Sequence, residues 1–208
     1  MSSRRGEAQA IRERIVAASS VLVAVAGPNG AGKTTFVEKF LHPLGLRVVN
    51  PDAIARALFP DAPEEAAYEA ARAADAVRTD LLRRGVSFCM ETVFSDPNGA
   101  KLAFFEEARK QGYIVILIFI GLESSDLSAA RVMQRTDEGG HDVPDEKIAS
   151  RFPRVLANLA KALPFVDHAF LFDNSSADEP YRFVAELRAG EIAKEGAVRP
   201  RWWTSLGS

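Results

Sequence analysis

The sequence predicts an α/β fold: a mainly parallel sheet of about five strands with helices on both faces. Three observations carry this. Short valine- and isoleucine-rich runs alternate with helical segments along the chain, the pattern of right-handed strand–helix–strand crossovers. Residues 113–120 are apolar and largely β-branched, as a central strand buried on both faces must be. A glycine-rich segment lies between the first such run and the helix after it.

Each element follows from local signals. Residues 7–18 space Ile11, Ile15 and Val16 along a helix, and residues 21–26 form a short apolar strand that ends at Gly27. A helix is expected over 34–41 and a second strand over 46–49. Asn50 can cap, and Pro51 open, a helix over 51–58. The alanine-rich stretch 64–84 is a long helix stopped by Gly85, and 86–91 is the third strand. Residues 100–111 form a helix ended by Gly112, which leads into the central strand over 113–120. Helices over 125–136 and 145–162 have no strand between them, only a loop at 138–144. The stretch from about 124 to 162 is expected to act as a lid over the sheet edge. A last strand is expected over 168–172, a last helix over 179–189, and a C-terminal tail from about 190 to 208 that is irregular over 198–208. Within that tail, Arg199-Pro200-Arg201-Trp202-Trp203 reads as a strap packed on the domain, because aromatic rings bury readily.

Length and composition fit one domain over residues 1–208. Hydrophobic residues make up 47% and charged residues 26%, ordinary for a globular chain, and the net charge is −2. That balance supplies no global basic field, which argues against nucleic acid as a partner. The single cysteine, Cys89, has no intramolecular partner and lies in an apolar run, so a buried structural thiol is expected. The charged N-terminus and the shortness of every apolar run point to a cytoplasmic chain with no membrane span.

Gly27-Pro28-Asn29-Gly30-Ala31-Gly32-Lys33-Thr34 fits G-x-x-x-x-G-K-[ST], between a strand and a helix as that motif requires. Glycines let the backbone curl so that successive N–H groups point at phosphate oxygens. The helix N-terminus adds its positive dipole end. Lys33 would reach the outer phosphates, the Thr34 hydroxyl would ligate Mg²⁺, and Thr35 continues the cradle. These residues predict a P-loop NTPase three-layer sandwich. No Asn-Lys-x-Asp guanine reader, ABC signature or plain Walker B aspartate is present, which leaves a compact P-loop kinase using ATP.

In open α/β sheets ligands sit beyond the carboxyl ends of the strands, so the first polar residues there are informative. They are Asn50 and Asp52, Glu91 and Thr92, and Asp173 and Asn174. Asp52 is the candidate base for a hydroxyl nucleophile, although an acid in a first helical turn also complements the dipole. Glu91 at the end of an apolar strand would hold a substrate hydroxyl or a water around Mg²⁺, or pair with an arginine. Arg131 and Arg135, and Arg151 and Arg154, form two like-charged pairs on consecutive helices. An anion between the helices would relieve the repulsion, as would pairing with Asp137, Glu138, Asp145 or Glu146. His141 is either a phosphate contact or a local hydrogen-bonding residue.

With the phosphate loop, the chain carries Asn50-Pro51-Asp52-Ala53-Ile54-Ala55 and Ser87-Phe88-Cys89-Met90-Glu91-Thr92. Further on come Arg131-Val132-Met133-Gln134-Arg135, Gly139-Gly140-His141-Asp142-Val143-Pro144, Arg151-Phe152-Pro153-Arg154 and Phe172-Asp173-Asn174-Ser175. In this order the segments resemble the zeta-toxin-like P-loop kinases and their stand-alone bacterial relatives. The resemblance implies ATP with Mg²⁺ and a small-molecule hydroxyl acceptor, in the toxin branch a UDP-N-acetyl-hexosamine. It implies Asp52 as base, Lys33 on the phosphates, and Glu91 and Thr92 near the substrate, with Asn50 and Arg131 beside them. Arg135, and next Arg151, would lie on the transferred group. The toxin branch also implies an antitoxin protein as partner. The Gly-Gly-His-Asp-Val-Pro loop is closer to the stand-alone relatives, so the UDP-sugar is a candidate and toxicity does not follow. Two other readings stay open: a kinase of another small molecule or of a nucleic-acid end, and a nucleotide-dependent switch that binds a partner.

Overall fold

The computed structural model describes residues 2–59, 67–137 and 143–207. In chain order the elements are α1 (Ser2–Ala17), β1 (Val21–Ala26), α2 (Lys33–Phe36), β2 (Arg47–Val49), α3 (Pro51–Leu58), α4 (Ala67–Arg83), β3 (Phe88–Thr92) and α5 (Ala100–Lys110). They continue as β4 (Ile114–Gly121), α6 (Ser125–Asp137), α7 (Asp145–Ala162), β5 (His168–Asp173), β6 (Arg182–Arg188), β7 (Glu191–Glu195) and α8 (Arg201–Thr204). One π-helical turn, Val37–Leu41, extends α2.

The strands form one seven-stranded sheet in the order β2-β3-β1-β4-β5-β6-β7. β1 to β5 pair in parallel, which is the expected five-stranded part. β6 and β7 add two antiparallel strands beyond it. Successive residues of β1 point to opposite faces. Leu22 and Ala24 join Phe88, Phe105, Leu159 and Trp202 on one side. Val23 and Val25 join Ile11, Phe36, Leu41 and Tyr181 on the other. Every β1 residue is therefore buried, and the molecule has three layers with helices on both faces. Among the described residues no helix is long and apolar enough to cross a membrane.

One expectation is overturned. Residues 179–189 contain no helix: Arg182–Arg188 is a strand paired with β5. Its residues are buried on both faces from Phe183 to Leu187, so the alternation that marks a half-exposed strand is absent. Ala185, Glu186 and Leu187 also favour helices intrinsically, a preference that tertiary pairing overrides. The turn to β7 uses Ala189 and Gly190, both at positive φ, as a tight two-residue hairpin demands. β7 likewise lies beyond the strand expected to be last, and α8 gives a short helix where the tail is expected to be irregular.

The strap expectation matches the fold. Trp202 is buried, its indole Nε1 donates to Asp173 Oδ1 at 3.0 Å, and its ring lies 5.3 Å from that of Phe119. Gly121 makes room for it, since a Cβ there would come within 2.3 Å of the indole. Cys89 is buried as expected, and burial pushes its thiol pKa up.

Candidate functional site

The carboxyl ends of β1, β2 and β3 open into a cleft of about 810 Å³. Its floor is the glycine-rich loop. Gly27, Gly30 and Gly32 all adopt positive φ, and a Cβ at any of them would collide with Ile120, Ser128 or Tyr181 and Asn174 respectively. Asn29, Gly30, Gly32, Lys33, Thr34 and Thr35 line the cleft. Gly27, Pro28 and Ala31 are buried beneath that surface and shape the loop from below. The Lys33 ammonium donates to the Gly27 and Pro28 carbonyls at 3.0 and 2.7 Å. Burial lowers its pKa to about 8, opposed by the nearby Glu91 and Asp52 carboxylates and reinforced by Arg135.

Glu91, at the end of β3, is the polar centre of the floor. Its Oε2 accepts from the Thr34 hydroxyl at 2.9 Å and its Oε1 from Asn50 Nδ2 at 2.9 Å. Burial raises its pKa, against the two hydrogen bonds and the Lys33 charge. Asn50 has a second task. Its Oδ1 caps α3 by accepting from the Asp52 and Ala53 N–H groups at 2.8 and 3.3 Å. The cap holds Asp52 in the first turn of α3, where it lines the cleft. Thr92 lines the wall, and its hydroxyl accepts from the Phe94 N–H at 3.0 Å.

The far wall comes from α6 and α7. Arg131, Arg135, Arg151 and Arg154 all line the cleft, so the two like-charged pairs do meet across one space. Arg131 Nη2 also donates to the Ser175 carbonyl at 3.3 Å. Ser128 on α6 donates to the Asn29 carbonyl at 2.6 Å, which ties the lid helix to the loop. Asp137, with respect to its side chain, and residues 138–142, which include His141, lie outside the described residues.

Several residues in or behind the cleft wall were not singled out from the sequence. Arg78 on α4 is buried at 3% exposure, donating to Asp75 at 2.8 Å and to the Glu91 carbonyl at 3.2 Å. Lys101 joins the same Asp75 at 2.9 Å. Asn158 on α7 donates to the Phe94 and Asp96 carbonyls at 3.0 and 2.9 Å and so fixes the loop after β3. That loop includes Phe94, fully buried at a φ of 64°, which a bulky residue adopts only when its surroundings hold it there. Asn158 had a readable signal, a polar side chain within the apolar stripe of Ile148, Val155, Leu159 and Ala162. The Asp75–Arg78 spacing of three was visible too, but not that it faces the cleft.

The donor set suits Mg²⁺. Thr34 and Glu91 offer hard oxygen atoms side by side, and among the described residues no cluster of three or more His, Cys, Asp or Glu forms a cage. Mg²⁺ takes few protein oxygens and shares its shell with phosphates, so such a pair beside a phosphate loop fits it.

Known proteins share this frame. A Haemophilus influenzae protein described only as uncharacterized is 25% identical over 142 residues, 68% of this chain and 99% of that one. The crystal structure of AvrRxo1-ORF1:-ORF2 with ATP superposes with a TM-score of 0.67 at 20% identity, over 95% of this chain and 71% of that one. The PezAT chromosomal toxin–antitoxin system of Streptococcus pneumoniae gives 0.63 at 15% identity, over 88% and 80%. These structural likenesses establish the α/β P-loop kinase-like fold. Residues 22–155 match the family model described as an AAA domain; this is more than half of the chain, and the chain belongs to that family.

Proposed function

We propose that the chain is an ATP-dependent phosphotransferase that moves the γ-phosphate of ATP onto a hydroxyl of a small molecule. One observation carries the reading. Lys33, Glu91, Asp52 and Arg135, from four different elements, line one cleft. A cation for the outer phosphates, a carboxylate for the attacking hydroxyl and an arginine for the transferred group thus share one space.

The phosphates lie along the loop N–H groups, with Lys33 turning from the loop carbonyls to their outer oxygens. Asp52 takes the proton of the acceptor hydroxyl as its oxygen bonds to the γ-phosphorus and the bond to the departing ADP oxygen breaks. Arg135 and Arg151, with Arg131 beside them, stabilise the charge spread over the equatorial oxygens. Thr34 and Glu91 would hold Mg²⁺, directly or through its waters; when bound it supplies further charge neutralisation. Glu91, Asn50 and Thr92 orient the acceptor.

The candidate acceptor is a UDP-N-acetyl-hexosamine. It rests on the resemblance to zeta-toxin-like kinases and on the cleft's charge. Basic side chains in the lining outnumber acidic ones about two to one, although the whole chain is net −2. ATP and an anionic sugar nucleotide together match that excess better than ATP and a neutral sugar. The PezAT toxin–antitoxin system, of like fold, favours a second reading, in which a partner protein restrains this activity.

The test is transfer from γ-labelled ATP with Mg²⁺ into UDP-sugars, nucleosides and cell-extract metabolites, alongside Asp52→Ala. Label in a UDP-N-acetyl-hexosamine, absent with the variant, supports the full reading. Label elsewhere keeps the kinase and discards the sugar. Tight ATP binding without label in any acceptor sinks the kinase in favour of a nucleotide-dependent switch.

A further inference from the structure

The back of the phosphate loop, facing away from the cleft, is held by side chains that the motif itself does not require. The Ala31 carbonyl accepts from Asn174 Nδ2 at 2.9 Å, and the Gly32 carbonyl, which already accepts from the Phe36 N–H at 3.0 Å, accepts also from the Tyr181 hydroxyl at 2.9 Å. Asn174 Oδ1 accepts in turn from the Tyr181 N–H at 3.1 Å, which closes a small ring of bonds behind the loop. In a trans peptide the C=O and N–H groups point in opposite directions. Drawing these two carbonyls backward turns the N–H groups of Gly32 and Lys33, which share their peptide planes, toward the cleft that both residues line. A carbonyl turned the other way would present its lone pairs to a phosphate oxygen.

The supporting structure is built for this. Tyr181 adopts a φ of 55°, in the left-handed region that aromatic residues avoid. Its ring lies 5.4 Å from Phe36 and 6.1 Å from Phe40, both presented by the helix and π-turn that follow the loop. Asn174 follows Asp173, which is 1% exposed and accepts from Trp202, Ser175 and Arg182 at 3.0, 2.7 and 2.8 Å. The Asn174 N–H donates to the Gly121 carbonyl at 3.0 Å.

We propose that Tyr181 and Asn174 are positioning residues for nucleotide binding: they fix the Ala31 and Gly32 carbonyls outward so that the loop presents N–H groups to a polyphosphate. The proposal rests on the loop binding a nucleotide, as argued above. The full chain is titrated with MgATP by calorimetry, and its melting temperature is measured in parallel. Tyr181→Phe removes only the hydroxyl, and Asn174→Leu removes the amide in nearly the same volume without adding a charge. Each is expected to weaken MgATP binding by roughly five- to tenfold, the worth of one hydrogen bond of about 1 kcal/mol or slightly more. Turnover at saturating ATP should stay within about twofold, because the chemistry is untouched.

A merely structural tyrosine would give the opposite split, a lower melting temperature with unchanged affinity. Tyr113→Phe supplies that control: it removes a hydroxyl that donates to the Leu81, Leu82 and Val86 carbonyls at the opposite end of the sheet, and should melt earlier while binding MgATP like the wild type. Tyr181→Phe and Asn174→Leu both binding MgATP as tightly as the wild type overturns the proposal. Wild-type protein that binds no MgATP overturns the nucleotide reading itself, and the two failures are told apart by which protein shows them.

Discussion

At the scale of single residues, the site is governed by two buried charges whose titrations move in opposite directions. Lys33, lowered to about 8 by burial, is charged at neutral pH and loses its proton as pH rises through that value. Phosphates bind the charged form, so MgATP affinity should be level below about pH 7 and fall by up to about tenfold per pH unit above about 8. Calorimetry across that range checks this, and Lys33→Arg should abolish the dependence even where its affinity is poorer. Glu91 is raised by burial, so its folded value lies above its unfolded one. Its contribution to stability is present below the ordinary carboxylate value and lost as pH rises through the raised one. Glu91→Gln should therefore melt higher than the wild type at pH 7, while phosphotransfer falls about a hundredfold. A variant that loses both stability and activity would instead make the ion structural. Lys33 and Thr34 were legible from the phosphate-loop motif, and Asn50, Asp52 and Glu91 because they stand at or just past the carboxyl ends of apolar strands, where ligands bind. The Thr34–Glu91–Asn50 chain of bonds was not, since it joins three segments distant in sequence.

At the scale of elements, the lid helices matter most. α7 is anchored at one end, where Asn158 grips the loop after β3, and presents Arg151 and Arg154 to the cleft at the other. Pro153 lies within this helix, between the two arginines. A proline lacks the N–H that would continue the helical ladder, so the ladder is interrupted at the turn that carries them. If Arg135 on α6 acts on the transferred group, its contact strengthens in the transition state. Arg135→Ala should then lower kcat by roughly a hundredfold or more while changing the MgATP Kd by less than about threefold. Steady-state kinetics beside direct binding separate the two, and equal losses would place Arg135 in ground-state binding. Helix boundaries were readable almost throughout, because caps and glycine stops such as Asn50, Gly85 and Gly112 are local. β6 was not, because a strand buried on both faces carries no period-two pattern and its Ala-Glu-Leu core favours helix in isolation.

At the scale of the whole molecule, the C-terminal segment closes the structure over the sheet. Trp202 fills the space that Gly121 leaves and satisfies the buried Asp173, whose neighbour Asn174 supports the phosphate loop. Trp202→Ala should cost about 3–5 kcal/mol in urea denaturation, from the lost ring and the carboxylate left short of a donor. It should also weaken MgATP binding at temperatures where the protein is still folded. Unchanged affinity would uncouple the strap from the site. The sequence by itself determined the phosphate loop, the order of the parallel strands and helices up to β5, and the residues flanking the strand ends, since these depend on local spacing, capping and backbone freedom. Only the tertiary structure decided that the sheet continues through β6 and β7, and that Arg78, Asn158, Tyr181 and Trp202 are drawn to the site. Their roles arise from partners 13 to 149 residues away, and contacts across such distances leave no mark on the local pattern of the chain.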